Sequence, residues 1–199
     1  MITINITHMY GSVIKAFRYA AFQVASIIST TGFMTADYDV WPEFSKAILL
    51  TVMVIGACGG STGGGMKVSR LLMIIKSITR EVKQLLHPKS VCVMRVNGKK
   101  VGTDAMRGVM VYFFAYIIII VVSVVVVAIN NYDFGTSFTA VLTAINNVGP
   151  GISLVGPTCN FGFFSPLSKI VLCFDMLVGR LEIFPFLMIL SPSLWRRKF

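Results

Sequence analysis

Two short strings carry residue types able to strip water from a cation, Thr30-Thr31-Gly32-Phe33 and Asn146-Asn147-Val148-Gly149-Pro150-Gly151. Dehydrating a cation is costly, so several backbone carbonyls must replace its water. Turning successive carbonyls towards one ion demands unusual backbone, which glycine adopts cheaply. Each string follows an apolar run too short to cross a bilayer, Ala16 to Ser29 (AFRYAAFQVASIIS) and Phe134 to Ile145 (FGTSFTAVLTAI). As helices these reach about 21 Å and about 18 Å, against a hydrocarbon core of about 30 Å. The C-terminal end of such a helix adds partial negative charge beside the ion. Taken alone, either string reads equally well as a surface turn; the pair, each behind a short helix, favours a cation filter.

A third string offers a different chemistry. Ala47 to Met66 is uncharged but is broken by Gly59-Gly60-Ser61-Thr62-Gly63-Gly64-Gly65, and helical spacing resumes at Val68. Each glycine costs a helix about 1 kcal/mol relative to alanine. The expected form is therefore a discontinuous membrane helix with an irregular middle. Such backbone is tolerated at membrane depth only where protein or a water-filled cavity surrounds it. Gly60 to Gly65 also has the spacing of a phosphate-cradling loop, but Met66 and Lys67 stand where Lys and Ser or Thr belong, and an apolar helix precedes it instead of a strand. Nucleotide hydrolysis is rejected on that ground.

Ionisable residues in apolar surroundings are the remaining candidates. Asp175, Arg180 and Glu182 lie in the apolar stretch Leu167 to Leu190, where such groups usually face a bundle interior or a water path. Arg180 is assigned to the pathway and Glu182 to structure; Asp175 is left without a role. Asp37, Asp39 and Glu43 either focus cations near the first string or sit in a solvated loop. Cys58 and Cys173 are expected to pack as small apolar residues, and no His or Cys stands at metal-ligand spacing.

The elements that must position these residues belong to a membrane protein. The 199 residues are 55% hydrophobic and 13% charged, with a mean hydropathy of +0.79; soluble domains carry about 25% charged residues. The net charge of +10 does not mark a nucleic-acid partner. Ten of the 18 Lys and Arg fall between Lys67 and Arg107, Arg196, Arg197 and Lys198 close the chain, and Asp133 alone is charged from Gly108 to Ser168. Basic clusters beside apolar spans mark cytoplasmic ends. Val109 to Ile129 is the clearest span, 21 uncharged residues. Asn97-Gly98 reads as a hairpin turn, and residues 1–15 as a polar tail without period.

The order then repeats. Placing Gly32 on Gly149, an offset of 117 residues, also places Ser26 on Thr143 and Ile28 on Ile145. The strings TTGF, GACGGSTGGGMKV, NNVGPG and GRLEIFP together resemble the Trk/Ktr/HKT superfamily of potassium transporters, nearest to its bacterial Trk-type membrane subunits, from about Ala16 to Arg197.

That resemblance implies an all-α integral membrane fold of pore-loop repeats (helix, pore helix, filter, helix). About two of the family's four are present, the first lacking its outer helix. The expected division is a polar tail at 1–15, a third-type repeat at 16–104 and a fourth-type repeat at 105–199. It further implies filter residues Thr30, Thr31, Gly32 and Phe33, then Asn147, Val148, Gly149 and Pro150. Potassium, the transported ion, would be held through Thr31, Gly32, Val148 and Gly149. The gate would be Gly59, Gly60, Ser61, Thr62, Gly63, Gly64 and Gly65 with Arg180. Also implied are a multi-pass bacterial inner-membrane location, no enzymatic activity and no organic cofactor. The implied partners are membrane lipid, a homodimer mate, a peripheral nucleotide-binding regulatory subunit, and the missing N-terminal half of the pore or a second copy. A truncated inactive remnant and a non-conducting membrane scaffold stand beside this reading.

Overall fold

A computed structural model of the chain describes residues 1–61, 63–87, 95–96 and 99–190. The fold is helical apart from one minimal ribbon. The elements in order are α1 (Ile2–Tyr10), α2 (Val13–Ile28), α3 (Glu43–Ile55), α4 (Val68–Leu86), β1 (Arg95–Val96), β2 (Lys99–Lys100), α5 (Thr103–Ala128), α6 (Phe134–Asn146), α7 (Pro166–Leu181) and α8 (Ile183–Leu190). β1 and β2 pair antiparallel, Arg95 opposite Lys100 and Val96 opposite Lys99; the turn expected at Asn97-Gly98 lies outside the described residues.

Helix α6 is the centre of the molecule. Leu142 joins Val148 in a core with Ile27, Trp41, Leu49 and Met53, between α1, α2 and α3. Ile145 faces a second core with Met66, Tyr112, Tyr116 and Val178. Ala140, Val141 and Ala144 face a third, with Val127, Phe164 and Leu172. Apolar and small residues on every side of a short helix are what a fully enclosed helix requires. Its start is fixed by Asp133, whose carboxylate accepts from the Gly135 N–H at 2.9 Å, a side-chain cap.

Helix α2 buries one stripe, Ala16, Ala20, Gln23 and Ile27 with Ser26 beside it, at the i, i+4, i+7 spacing of a single helix face. Ile14 and Phe17 stand exposed away from that stripe. Helix α5 runs 26 residues, about 39 Å. Among the described residues it is the one helix long and apolar enough by itself to cross a membrane.

Three expectations are corrected. The stretch read as a polar tail folds as α1, because Ile2 and Ile6, one turn apart, bury against α2 and α3. Asn5 Nδ2 donates to Ser45 Oγ at 2.9 Å, and Trp41 Nε1 donates to the Tyr10 hydroxyl at 3.1 Å. Ile2, Ile4 and Ile6 alternate with polar residues, a period of two that conceals the helix. The apolar stretch Leu167 to Leu190 is two helices, broken at Glu182, whose φ is 63°. Cys58 and Cys173 are exposed, not packed.

Candidate functional site

The two filter strings begin with the same turn. At the end of α2 the Thr30 N–H donates to the Ile27 carbonyl at 3.1 Å and the Thr31 N–H to the Ser26 carbonyl at 2.9 Å. At the end of α6 the Asn147 N–H donates to the Ala144 carbonyl at 3.0 Å and the Val148 N–H to the Thr143 carbonyl at 3.1 Å. Every atom pair is related by the 117-residue offset. Thr30 has φ 55° and Asn147 φ 54°, and the glycines that follow, Gly32 and Gly149, have φ 75° and 106°. This is a helix-closing turn with a left-handed residue at its corner, the Schellman arrangement. It is unusual in using Thr and Asn where glycine is the common choice, and left-handed backbone on such residues marks a constrained site.

The segments meet one another. A Cβ built on Gly32 would overlap the Val148 carbonyl oxygen and stand 3.4 Å from Pro150 Cδ. Only a glycine lets the first segment lie this close to the second. Thr30, Thr31, Asn147, Val148 and Gly149 line one cleft of about 730 Å³, closed on its far side by Lys169, Leu172, Cys173 and Met176 of α7. Gly32, Phe33 and Pro150 are not among its lining residues. The Phe33 side chain is 71% exposed, and its carbonyl accepts from Ser26 Oγ at 2.6 Å. Asn147 Nδ2 donates to the Met176 carbonyl at 3.0 Å, tying the second segment to α7.

The glycine run leaves α3 at Gly56 and rejoins helix at Val68. Its ends are laced by Met66 N–H to the Val54 carbonyl at 3.2 Å and Val68 N–H to the Ala57 carbonyl at 3.1 Å. The loop reaches both filter segments. A Cβ on Gly63 would stand 3.2 Å from Thr30 Oγ1, and one on Gly64 would overlap the Asn146 carbonyl. Asn146 is fully buried, accepting from the Tyr116 hydroxyl at 2.9 Å and donating to the Leu142 carbonyl at 2.8 Å. Ser61 Oγ accepts from the Gly63 N–H at 3.1 Å. Gly59 lies against Ser69, and Gly60 has open space beside it. Thr62 lies outside the described residues.

Arg180 is exposed at the end of α7 and bonds nothing among the described residues. Glu182, two residues on, holds the neighbouring contacts: it accepts from Lys67 Nζ at 2.5 Å and Arg70 Nη2 at 2.7 Å. The acidic residues after the first filter string are all engaged. Asp37 accepts from the Asp39 N–H and Asp39 from the Ser153 N–H, each at 2.9 Å, and Glu43 pairs with Lys46 at 2.7 Å. The Asp39 bond joins the loop after one filter segment to the loop after the other. Tyr38 beside it is buried, and that burial, with Asp39 and Asp37 near, pushes its hydroxyl above the usual range.

Sequence reasoning missed Gly179. A Cβ there would overlap the Ile145 carbonyl, so α7 crosses the end of α6 at this glycine. Its signal was a lone glycine inside an apolar helix, which marks close approach of another backbone. Three elements thus bring a glycine to the closing turn of α6: Gly179 to Ile145, Gly64 to Asn146 and Gly32 to Val148.

Residues 5–197 match the family model described as TrkH, cation transport protein. Over 189 residues the chain is 40% identical to the Trk system potassium uptake protein TrkH of Vibrio parahaemolyticus and 36% identical to that of Escherichia coli, covering 95% of this chain and 39% of each relative. It is 36% identical over 193 residues to the Escherichia coli Trk system potassium uptake protein TrkG, covering 97% of this chain and 39% of that protein. The crystal structure of the potassium transporter TrkH from Vibrio parahaemolyticus superposes with a TM-score of 0.87 at 38% identity, covering 98% of this chain and 42% of that one. The chain therefore spans about two fifths of the length of the relatives it matches.

Proposed function

The chain belongs to the TrkH family of cation transport proteins, a transport family and not an enzyme family, and on that premise we propose that it supplies two filter segments of a potassium-uptake pore. One observation carries the reading. Two segments closed by the same hydrogen-bonded turn, 117 residues apart, line one cleft, with Gly32 of the first lying on the Val148 carbonyl of the second. A ring in which each glycine lies on its neighbour's carbonyl continues naturally at Gly149, which has open space beside it. The chain is thus the third and fourth repeats of four, completed by an N-terminal half or a second copy.

Mechanistically, the carbonyls of Thr31, Gly32, Val148 and Gly149 replace the ion's water, and the C-terminal ends of α2 and α6 add negative potential. The ion then meets the glycine loop. Its seat against Thr30 and Asn146 makes that loop the flux-limiting element, with Arg180 and Glu182 near its exit. An inward-negative membrane potential contributes about 2.3 kcal/mol per charge per 100 mV. The filters face outwards and the Lys67 to Arg107 stretch faces the cytoplasm, in a multi-pass arrangement in a bacterial inner membrane. The partners proposed with it are a homodimer mate and a peripheral nucleotide-binding regulatory subunit.

Rubidium uptake into proteoliposomes tests the reading, with the chain alone and with an N-terminal half supplied. Uptake on co-reconstitution is the expected result. Uptake by the chain alone means that two copies assemble four segments. Silence in both, with the protein folded and inserted, leaves a remnant or a scaffold and sinks the proposal.

A further inference from the structure

Two non-glycine residues with left-handed backbone face each other across the protein, Lys67 (φ 68°) where the glycine loop rejoins helix and Glu182 (φ 63°) at the break between α7 and α8. The Glu182 carboxylate takes one cation on each oxygen, Lys67 on Oε1 and Arg70 on Oε2. Arg70 also lies over the Tyr112 ring, 4.0 Å from its centroid. The Lys67 and Arg70 side chains are only 14% and 19% exposed. A single carboxylate therefore pairs with two largely buried cations and is the one negative charge between them. Removing it leaves them unpaired side by side, where the uncompensated charges repel and seek water.

Lys67 sits three residues beyond Gly64, the glycine seated on the Asn146 carbonyl. Left-handed backbone on a lysine persists only while its surroundings impose it. Freed from Glu182, Lys67 has reason to relax, and the relaxation pulls directly on the seated part of the loop. Arg180, by contrast, bonds nothing among the described residues.

We infer that Glu182 is a positioning residue of the gate: its carboxylate pins the exit of the glycine loop to the α7–α8 break and so keeps Gly63 and Gly64 seated under the two filter segments. The seating stands on this geometry; its consequence for flux rests on the transport reading above.

The test uses a nitroxide on Cys58, which is exposed in the glycine loop, in a parent with Cys92, Cys159 and Cys173 replaced by Ser. Glu182→Ala should sharpen the label's spectrum as the loop loosens. In the co-reconstituted preparation it should raise rubidium uptake about tenfold, the factor that about 1.4 kcal/mol makes in a closed-to-open equilibrium. A label as immobile as in the parent overturns the inference, whatever the uptake. A freed label with unchanged uptake from an active parent overturns the gating role. A parent that transports nothing sinks the transport reading instead, and label mobility still decides the seating. Should Glu182→Ala fail to fold, Lys67→Met keeps the Arg70 pair and reads the same label.

Discussion

Helices α2 and α6 end in the same turn, yet ten of the thirteen residues of α6 are buried and only five of the sixteen of α2. The glycines differ in the same way. Gly32 lies on the Val148 carbonyl, whereas its counterpart Gly149 meets nothing within 4 Å. Equal conformation in unequal surroundings separates two causes. The turn is made by bonds spanning three and five residues, so it forms wherever a helix ends in that way. Enclosure needs neighbours. Helix α6 has them in α5, α7, the glycine loop and the first filter segment; α2 and Gly149 have fewer within this chain.

The sharpest way to break the comparison is to add one methyl group to each glycine. Gly32→Ala combines left-handed strain of about 1–2 kcal/mol with overpacking of about 1–3 kcal/mol. Gly149→Ala adds the strain alone. In the isolated chain, thermal unfolding followed by emission of buried Trp41 should show Gly32→Ala costing clearly more. Supplying the N-terminal half should bring the two variants together by giving Gly149 a neighbour; equal costs without it would break the contrast. Gly32→Ser in an active preparation should also change the potassium-to-sodium uptake ratio, and an unchanged ratio would argue against a filter role.

Next comes Gly179→Ala, whose new methyl must displace the Ile145 carbonyl. Overpacking against backbone should cost about 2 kcal/mol, a loss confined to the α6 side and measurable in the same unfolding experiment. No loss would mean that α7 does not press on α6.

Asp39→Ala should cost about 1 kcal/mol, the value of one hydrogen bond, by freeing the loop after Gly32 from Ser153. Asp39→Asn retains an acceptor and should keep most of it. If both variants behave alike, the bond between the two loops carries nothing.

The smallest contrast pits Ser26 against its partner in the repeat, Thr143. Ser26 Oγ reaches forward to the Phe33 carbonyl, whereas Thr143 Oγ1 bonds the Ala140 carbonyl of its own helix. Ser26→Ala should therefore lower the unfolding temperature a little more than Thr143→Ala, by an amount matching about 0.5–1 kcal/mol. The reverse order would show that the forward bond does not brace the first segment.

Much of the site was legible because it is locally encoded. Composition and the basic stretch placed the chain in a membrane class, and the glycine run announced a broken helix. The 117-residue offset, supported by few identities, fell on the atoms that make both turns. Boundaries were less legible: α1 buries Ile2 and Ile6 but exposes Ile4 between them, so no helical period shows before the surface that buries them is known.

What the sequence by itself determined, then, were the two closing turns, the cap of α6 and the break at the glycine run, which rest on residues a few positions apart. Tertiary structure alone decided which carbonyl each glycine lies on and where the last apolar stretch divides. Glu182 meets Lys67 and Arg70 across 115 and 112 residues, and Asp39 meets Ser153 across 114. Contacts of that separation leave no periodic trace along the chain. They exist only once packing has met the entropy of closing such long loops.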